Sequence, residues 1–171
     1  LAYFDPHGLD TDELMDRIPR EFRQNVILFD PSQFSIPNNP LISENHHKTA
    51  QSLTTAIATV WGYGDVVTPR MDGVLYNSLI ALIEAKQGLF GLYLILVSDS
   101  YRQTVLKATK NPVVKSFWRW FATLSDKDQF QVIESTFNKV QILMADPRIM
   151  AISGKKDRLS LTTAVNGKIL L

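Results

Sequence analysis

The sequence contains no cysteine, which excludes both a disulfide framework and a zinc site built from thiolates. It also lacks an excess of either charge, because 18 lysine and arginine residues balance 17 aspartate and glutamate residues. Its most apolar stretch, residues 88–97, is about half of the roughly 20 residues that a membrane-spanning helix needs. We therefore expect no membrane segment in this region and a cytoplasmic location.

Nucleotide-binding motifs are missing as well. Gly62-Tyr63-Gly64 is too short for a dinucleotide-binding loop, and Gly154-Lys155-Lys156 lacks the upstream glycine and the hydroxyl residue of a P-loop. No apolar strand ends in an Asp-Glu pair. Adjacent His46 and His47 would point about 100° apart on a helix, so they are poorly placed to chelate one ion. We expect no ATP hydrolysis by this chain alone, no resident cofactor and no metal site.

What the sequence does contain is enough apolar material for a core, since 45% of its 171 residues are hydrophobic. Strands are predicted at 1–4 and 25–30, because the apolar runs 1–4 and 26–29 are continuous, as is typical of parallel strands covered on both faces, and a helix is predicted between them at 10–18. Another apolar run occupies 167–171. We expect strands from both ends of the chain to share one edge of a larger sheet, from which this chain is an excerpt.

Between these strands the hydrophobic spacing is helical for more than a hundred residues. It predicts helices over residues 43–61, 69–87, 98–109, 111–123, 125–145 and 147–153, with a short segment at 92–97. The predicted fold class is α/β, in which a mostly helical all-α insertion lobe sits on a partial parallel-strand, RecA-like sheet edge. The predicted domains are a βαβ remnant at 1–42, the all-α domain at 43–166 and a return strand at 167–171.

One candidate site follows the first predicted strand, in the run Asp5-Pro6-His7-Gly8. Open α/β sheets bind ligands at the carboxyl ends of their strands, so Asp5 and His7 are candidate cofactor-binding residues that could position a water or contact a phosphate-bound metal. The alternative is that both side chains hydrogen-bond within the turn. A self-contained enzyme using Asp5 and His7 is the weakest functional hypothesis, because no companion catalytic groups accompany them.

The strongest electrostatic feature is the stretch from Ser100 to Ser125, which holds five basic residues and no acid. Aromatic residues are interleaved with the cations, and single-strand binding surfaces combine cations for phosphates with rings for bases. The alternative is a solvated charged face with the rings in the core. The candidate nucleic-acid-binding residues are Arg102, Lys107, Lys110, Lys115 and Arg119, with Trp118 or Trp120 as a stacking ring.

Short motifs in a fixed order cover almost the whole chain. They include Asp5-Pro6-His7-Gly8, Ile18-Pro19, Asn39-Pro40-Leu41, Trp61-Gly62, Pro69-Arg70-Met71-Asp72, Asn111-Pro112-Val113-Val114, Asp146-Pro147-Arg148 and Gly167-Lys168-Ile169-Leu170. Together they resemble the segment after the P-loop of HerA/FtsK-type motor ATPases, in particular the coupling proteins of conjugative type IV secretion. The family's usual Gly-Phe before Asn-Pro-Leu is here Pro37-Asn38. The P-loop and Walker B acids lie outside the resembling segment.

This resemblance implies an all-α domain that engages the substrate of a DNA-translocating ATPase and is not catalytic by itself. The implied parent is a homo-hexamer that uses ATP and magnesium, with or without an anchor in the inner membrane. Its implied partners are DNA or a relaxase, effector or adaptor protein. A different class of function is also open, namely a protein-docking helical module that does not contact nucleic acid.

Overall fold

A computed structural model describes residues 3, 5, 10–28, 30, 37–60, 69–153 and 169–170. The chain divides into two compact units, one formed by Leu1–Ile36 with Leu159–Leu171 and the other by Pro37–Arg158. Most of the described residues are helical, which confirms the prediction of a helical lobe. The first predicted strand lies almost wholly outside the described residues, and His7 lies outside them.

The smaller unit contains α1 (Thr11–Arg17), α2 (Arg20–Arg23), β1 (Val26–Ile27) and β2 (Ile169–Leu170). The two strands pair in parallel, with Val26 opposite Ile169 and Ile27 opposite Leu170. Each strand has two residues, whereas longer ones were predicted, and the four-residue α2 was not predicted. A RecA-like sheet is a larger structure than this pair, so that part of the fold stays a prediction.

The larger unit is a succession of helices that follows the predicted order. Their bounds differ from the predicted ones by no more than three residues at either end. In chain order they are α3 (His46–Val60), α4 (Pro69–Glu84), α5 (Gly91–Val97), α6 (Asp99–Ala108), α7 (Pro112–Ala122), α8 (Asp126–Ala145) and α9 (Pro147–Ser153).

The core of this unit is built around α4, which packs against α3, α5, α6, α7 and α8. Nine of its sixteen residues are buried, and a helix that is apolar on most sides is expected at the centre of a bundle. Leu79, Leu82 and Leu92 are among the fully buried side chains. Gly91 begins α5 where a Cβ atom would lie 2.5 Å from the Tyr101 hydroxyl oxygen and 2.6 Å from a Leu82 methyl carbon. A larger residue at this position would therefore force the Tyr101 and Leu82 side chains to move.

Helix starts were predicted well because the capping residues are explicit in the sequence. The Ser98 and Ser125 hydroxyls accept hydrogen bonds from the third backbone N–H groups of α6 and α8, and Asn111 caps α7 ahead of Pro112. The end of α4 differs from the prediction, which placed it at Gln87 before Gly88. Backbone bonds from Lys86 to Ile83 and from Gln87 to Leu82 close a Schellman motif, with Lys86 in the left-handed region at φ 52°.

Replacing this lysine should stabilise the protein. Left-handed backbone costs L-residues roughly 1–2 kcal/mol, while glycine adds entropy to the unfolded chain, so we expect Lys86→Gly to gain about 0.5–1 kcal/mol. The control is Lys107→Gly, within α6, which should lose about 1 kcal/mol. Urea unfolding of both variants provides the measurement. A loss of stability in Lys86→Gly similar to that of the control would contradict the left-handed assignment.

Candidate nucleic-acid interface

The α7 helix presents a cationic face because its sequence is strongly amphipathic. Val114, Trp118 and Phe121 recur at helical spacing and are buried. The opposite side of the helix is exposed and contains Arg119 and Trp120, while Lys115 lies half-buried at its flank. Lys115 and Arg119 are four residues apart, so they are neighbours on the helix surface. The α7 helix itself contains no acid.

The start of α7 is held by hydrogen bonds with its N-cap residue and with a residue of α4. The Asn111 side-chain oxygen accepts hydrogen bonds from the backbone N–H groups of Val113 and Val114, at 2.9 and 3.3 Å. The Glu84 carboxylate, at the end of α4, accepts from the backbone N–H groups of Lys110 and Asn111. The Glu84 carboxylate is therefore bound to the backbone, and the connector between α6 and α7 is tied to the central helix α4.

Four of the predicted cations are available to a ligand. Lys107, Lys110 and Arg119 are exposed, and Lys115 is half-buried. Among the described residues, no carboxylate forms an ion pair with any of the four. Trp120 is 49% exposed, with its ring centroid 5.8 Å from that of Phe117. We call Lys107, Lys110, Lys115, Arg119 and Trp120 the basic surface.

Arg102 does not belong to this surface. It is 7% exposed, and its guanidinium donates hydrogen bonds to the carbonyl oxygens of Ile95 and Leu96 and pairs with Asp99. The guanidinium carbon also lies 5.3 Å from the centre of the Trp118 ring and 4.9 Å from that of Phe121. Because its donors and its cationic face are occupied within the core, we remove Arg102 from the candidate phosphate contacts.

Trp118 is removed for the same reason. The side chain is 1% exposed and packs edge-to-face against Phe117 and Phe121. A base could stack on this ring only if the core opened. Its indole N–H is buried and has no hydrogen-bond partner among the residues that the structure describes. Of the two tryptophans proposed for stacking, Trp120 is therefore the one with the exposure that stacking requires.

The other candidate site is described only at Asp5, since His7 lies outside the described residues. One Asp5 carboxylate oxygen accepts hydrogen bonds from the backbone N–H groups of Asp10 and Thr11 and from the Thr11 hydroxyl. The Tyr3 hydroxyl donates a hydrogen bond to the Asp10 carboxylate, and this bond raises the pKa of Tyr3. These contacts place the Asp5 carboxylate at the start of α1, as the turn interpretation expects.

A cleft that sequence reasoning missed lies between α5, α6, α7 and the first half of α8. It consists of two adjoining cavities of about 340 and 280 Å³ that share Asp99, Arg102, Phe121 and Gln129. Val97 and Phe130 line the larger cavity and are 46% and 53% exposed. The sequence gives only a weak signal for this cleft. Phe130 precedes the buried Ile133 by three positions, so helical spacing predicts Phe130 to be a core residue and not an exposed one.

Comparison with known proteins identifies no relative. No family model matches this chain, and no significant match is found among curated proteins or solved structures. Within the described residues, no group of three or more histidine and acidic side chains could hold a metal ion. None of the helices in the described part is both long enough and apolar enough to cross a membrane.

Proposed function

We propose that this chain is the substrate-engaging helical region of a DNA-translocating coupling ATPase of the HerA/FtsK type, and that it contacts single-stranded nucleic acid through the basic surface. The observation that carries the proposal is that four cations with no ion pair to a described residue occur together with an exposed tryptophan in a stretch of sequence without acids. Cations attract the phosphate backbone and rings stack on bases, with little dependence on sequence.

In this proposal the parent is a cytoplasmic homo-hexamer, with or without an inner-membrane anchor, whose ATP and magnesium bind to the motor and not to the helical region. The pairing of β1 with β2 would then be part of a RecA-like sheet. The parent reading frame tests this directly. It should encode Gly-x-x-x-x-Gly-Lys-Ser/Thr before this segment and an apolar strand ending in Asp-Glu after it; a frame without both motifs would overturn the motor assignment.

Removing two cations from α7 should make binding less sensitive to salt. The slope of log affinity against log salt is about −0.7 per phosphate contact for single strands, so Lys115→Ala with Arg119→Ala should flatten it by about 1.4. The measurement is fluorescence anisotropy of a labelled oligothymidylate over about 50–200 mM salt. The control is Lys48→Ala with Arg70→Ala, which removes two exposed cations from α3 and α4.

Three outcomes separate the hypotheses. A flattened slope in the α7 variant alone supports the proposal, and an equal change in the control variant indicates attraction to net charge and counts against it. Absence of binding at the lowest salt concentration overturns it. In that case a protein-docking module becomes the better hypothesis, and it predicts that a relaxase, effector or adaptor partner is retained after nuclease treatment.

A further inference from the structure

The cleft between α5, α6, α7 and α8 differs in chemistry from the basic surface. Its inner wall is apolar, with Leu96, Phe121 and Ile133 each less than a tenth exposed. Its exposed apolar side chains are Val97 and Phe130. An opening that joins buried apolar walls to exposed apolar side chains is the usual form of a binding cleft.

In the part of the chain that the structure describes, the charged side chains that line this cleft are two aspartates and one arginine. Asp99 and Asp126 both line the larger cavity and are exposed. Arg102 is the one cation among the described residues that line either cavity, and its guanidinium is committed to Asp99, to carbonyl oxygens and to aromatic rings. Among the described residues, Asp126 forms no ion pair. An incoming group therefore meets the Asp126 carboxylate beside phenyl rings. Carboxylates and aromatic faces both attract cations, and neither attracts phosphate.

We infer that this cleft binds a segment of a partner protein in which a lysine or arginine adjoins a large apolar side chain. The apolar side chain enters between Val97 and Phe130, and the cation lies against Asp126. Large apolar side chains and arginine that fill desolvated pockets are prominent among the few residues that dominate an interface. The inference goes beyond the proposed function, since it assigns a second ligand to a different set of residues.

Labelled peptides with alternating residues test this chemistry on the full chain. A leucine–arginine peptide should bind with measurable anisotropy change at physiological salt, whereas a leucine–glutamate peptide and a glycine–arginine peptide should bind at least about tenfold more weakly. Phe130→Ala should lower the affinity for the leucine–arginine peptide about tenfold, and Asp126→Asn should lower it about threefold to tenfold. The control Glu134→Gln removes an exposed carboxylate of α8 that does not line the cleft, and it should change nothing.

The cleft variants also separate this inference from the nucleic-acid proposal. Phe130→Ala and Asp126→Asn should bind oligothymidylate as the unmodified chain does. This expectation holds also if the unmodified chain does not bind it. Equal binding of the three peptides, or equal effects of Asp126→Asn and Glu134→Gln, would overturn the inference. A second copy of this chain is the competing occupant; concentration-dependent sedimentation that Phe130→Ala abolishes would establish it and exclude the partner segment.

Discussion

Trp118→Ala should destabilise the chain by about 3–5 kcal/mol, the cost typical of removing a large aromatic side chain from a core. Trp118 is 1% exposed and contacts the rings of Phe117 and Phe121 as well as the Arg102 guanidinium. Truncation removes all of these contacts and leaves a cavity at the junction of α6 and α7. Urea unfolding followed by circular dichroism measures the change.

Trp120→Ala is the matched control, because the same residue type stands two positions away on the same helix with 49% of its surface exposed. It should cost less than about 1 kcal/mol of stability. Its effect should appear instead in oligothymidylate binding, where loss of one stacked base weakens affinity by about 1–3 kcal/mol. Equal destabilisation by the two substitutions would contradict the burial of one tryptophan and the exposure of the other.

Trp118→Phe keeps the variant series informative if the alanine variant does not fold. The indole N–H is buried with no partner in the described part of the chain, so phenylalanine removes an unsatisfied donor while it keeps most of the packing. We expect a loss smaller than that of the alanine variant. A loss of stability as large as that of Trp118→Ala would indicate that the indole N–H donates a hydrogen bond in solution.

The order of helices could be predicted from the sequence because its signals are local. Ser98, Asn111 and Ser125 are favourable N-cap residues, and Pro112 is favourable in a first turn. The end of α4 was harder to place. The Schellman motif uses Lys86 where glycine is usual, so its sequence has no strong stop before Gly88.

The candidate interface could be predicted only in part, for a physical reason. A basic residue in a basic stretch is expected to be solvated, and nothing local distinguishes Arg102 from Arg119. The difference lies in tertiary contacts: the carbonyl oxygens that Arg102 meets belong to α5, and the rings belong to α7. The same limit applied to Trp118 and Trp120, where helical phase shows that the two point in different directions but not which of them is buried.

Arg102 has a structural role that follows from these contacts. The last carbonyl oxygens of a helix lack intrahelical partners, and the Arg102 guanidinium donates hydrogen bonds to those of Ile95 and Leu96 near the end of α5. A positive charge is also favourable at that end of a helix. Stacking against Trp118 and Phe121 adds cation–π attraction inside the core. One side chain thus connects α5, α6 and α7.

Arg102→Met should therefore cost about 2–4 kcal/mol, because it fills the space but leaves two carbonyl oxygens without donors and removes the cation from between the rings. Arg102→Lys should lose less, since an ammonium keeps the charge but cannot reproduce the planar fork. Arg119→Met is the control and should change stability by less than about 0.5 kcal/mol. Urea unfolding ranks the three variants. If folded Arg102→Lys binds oligothymidylate with an unchanged salt slope, the structural role of Arg102 is supported. If Arg102→Met and Arg119→Met are equally stable and both bind oligothymidylate more weakly, Arg102 belongs among the phosphate contacts.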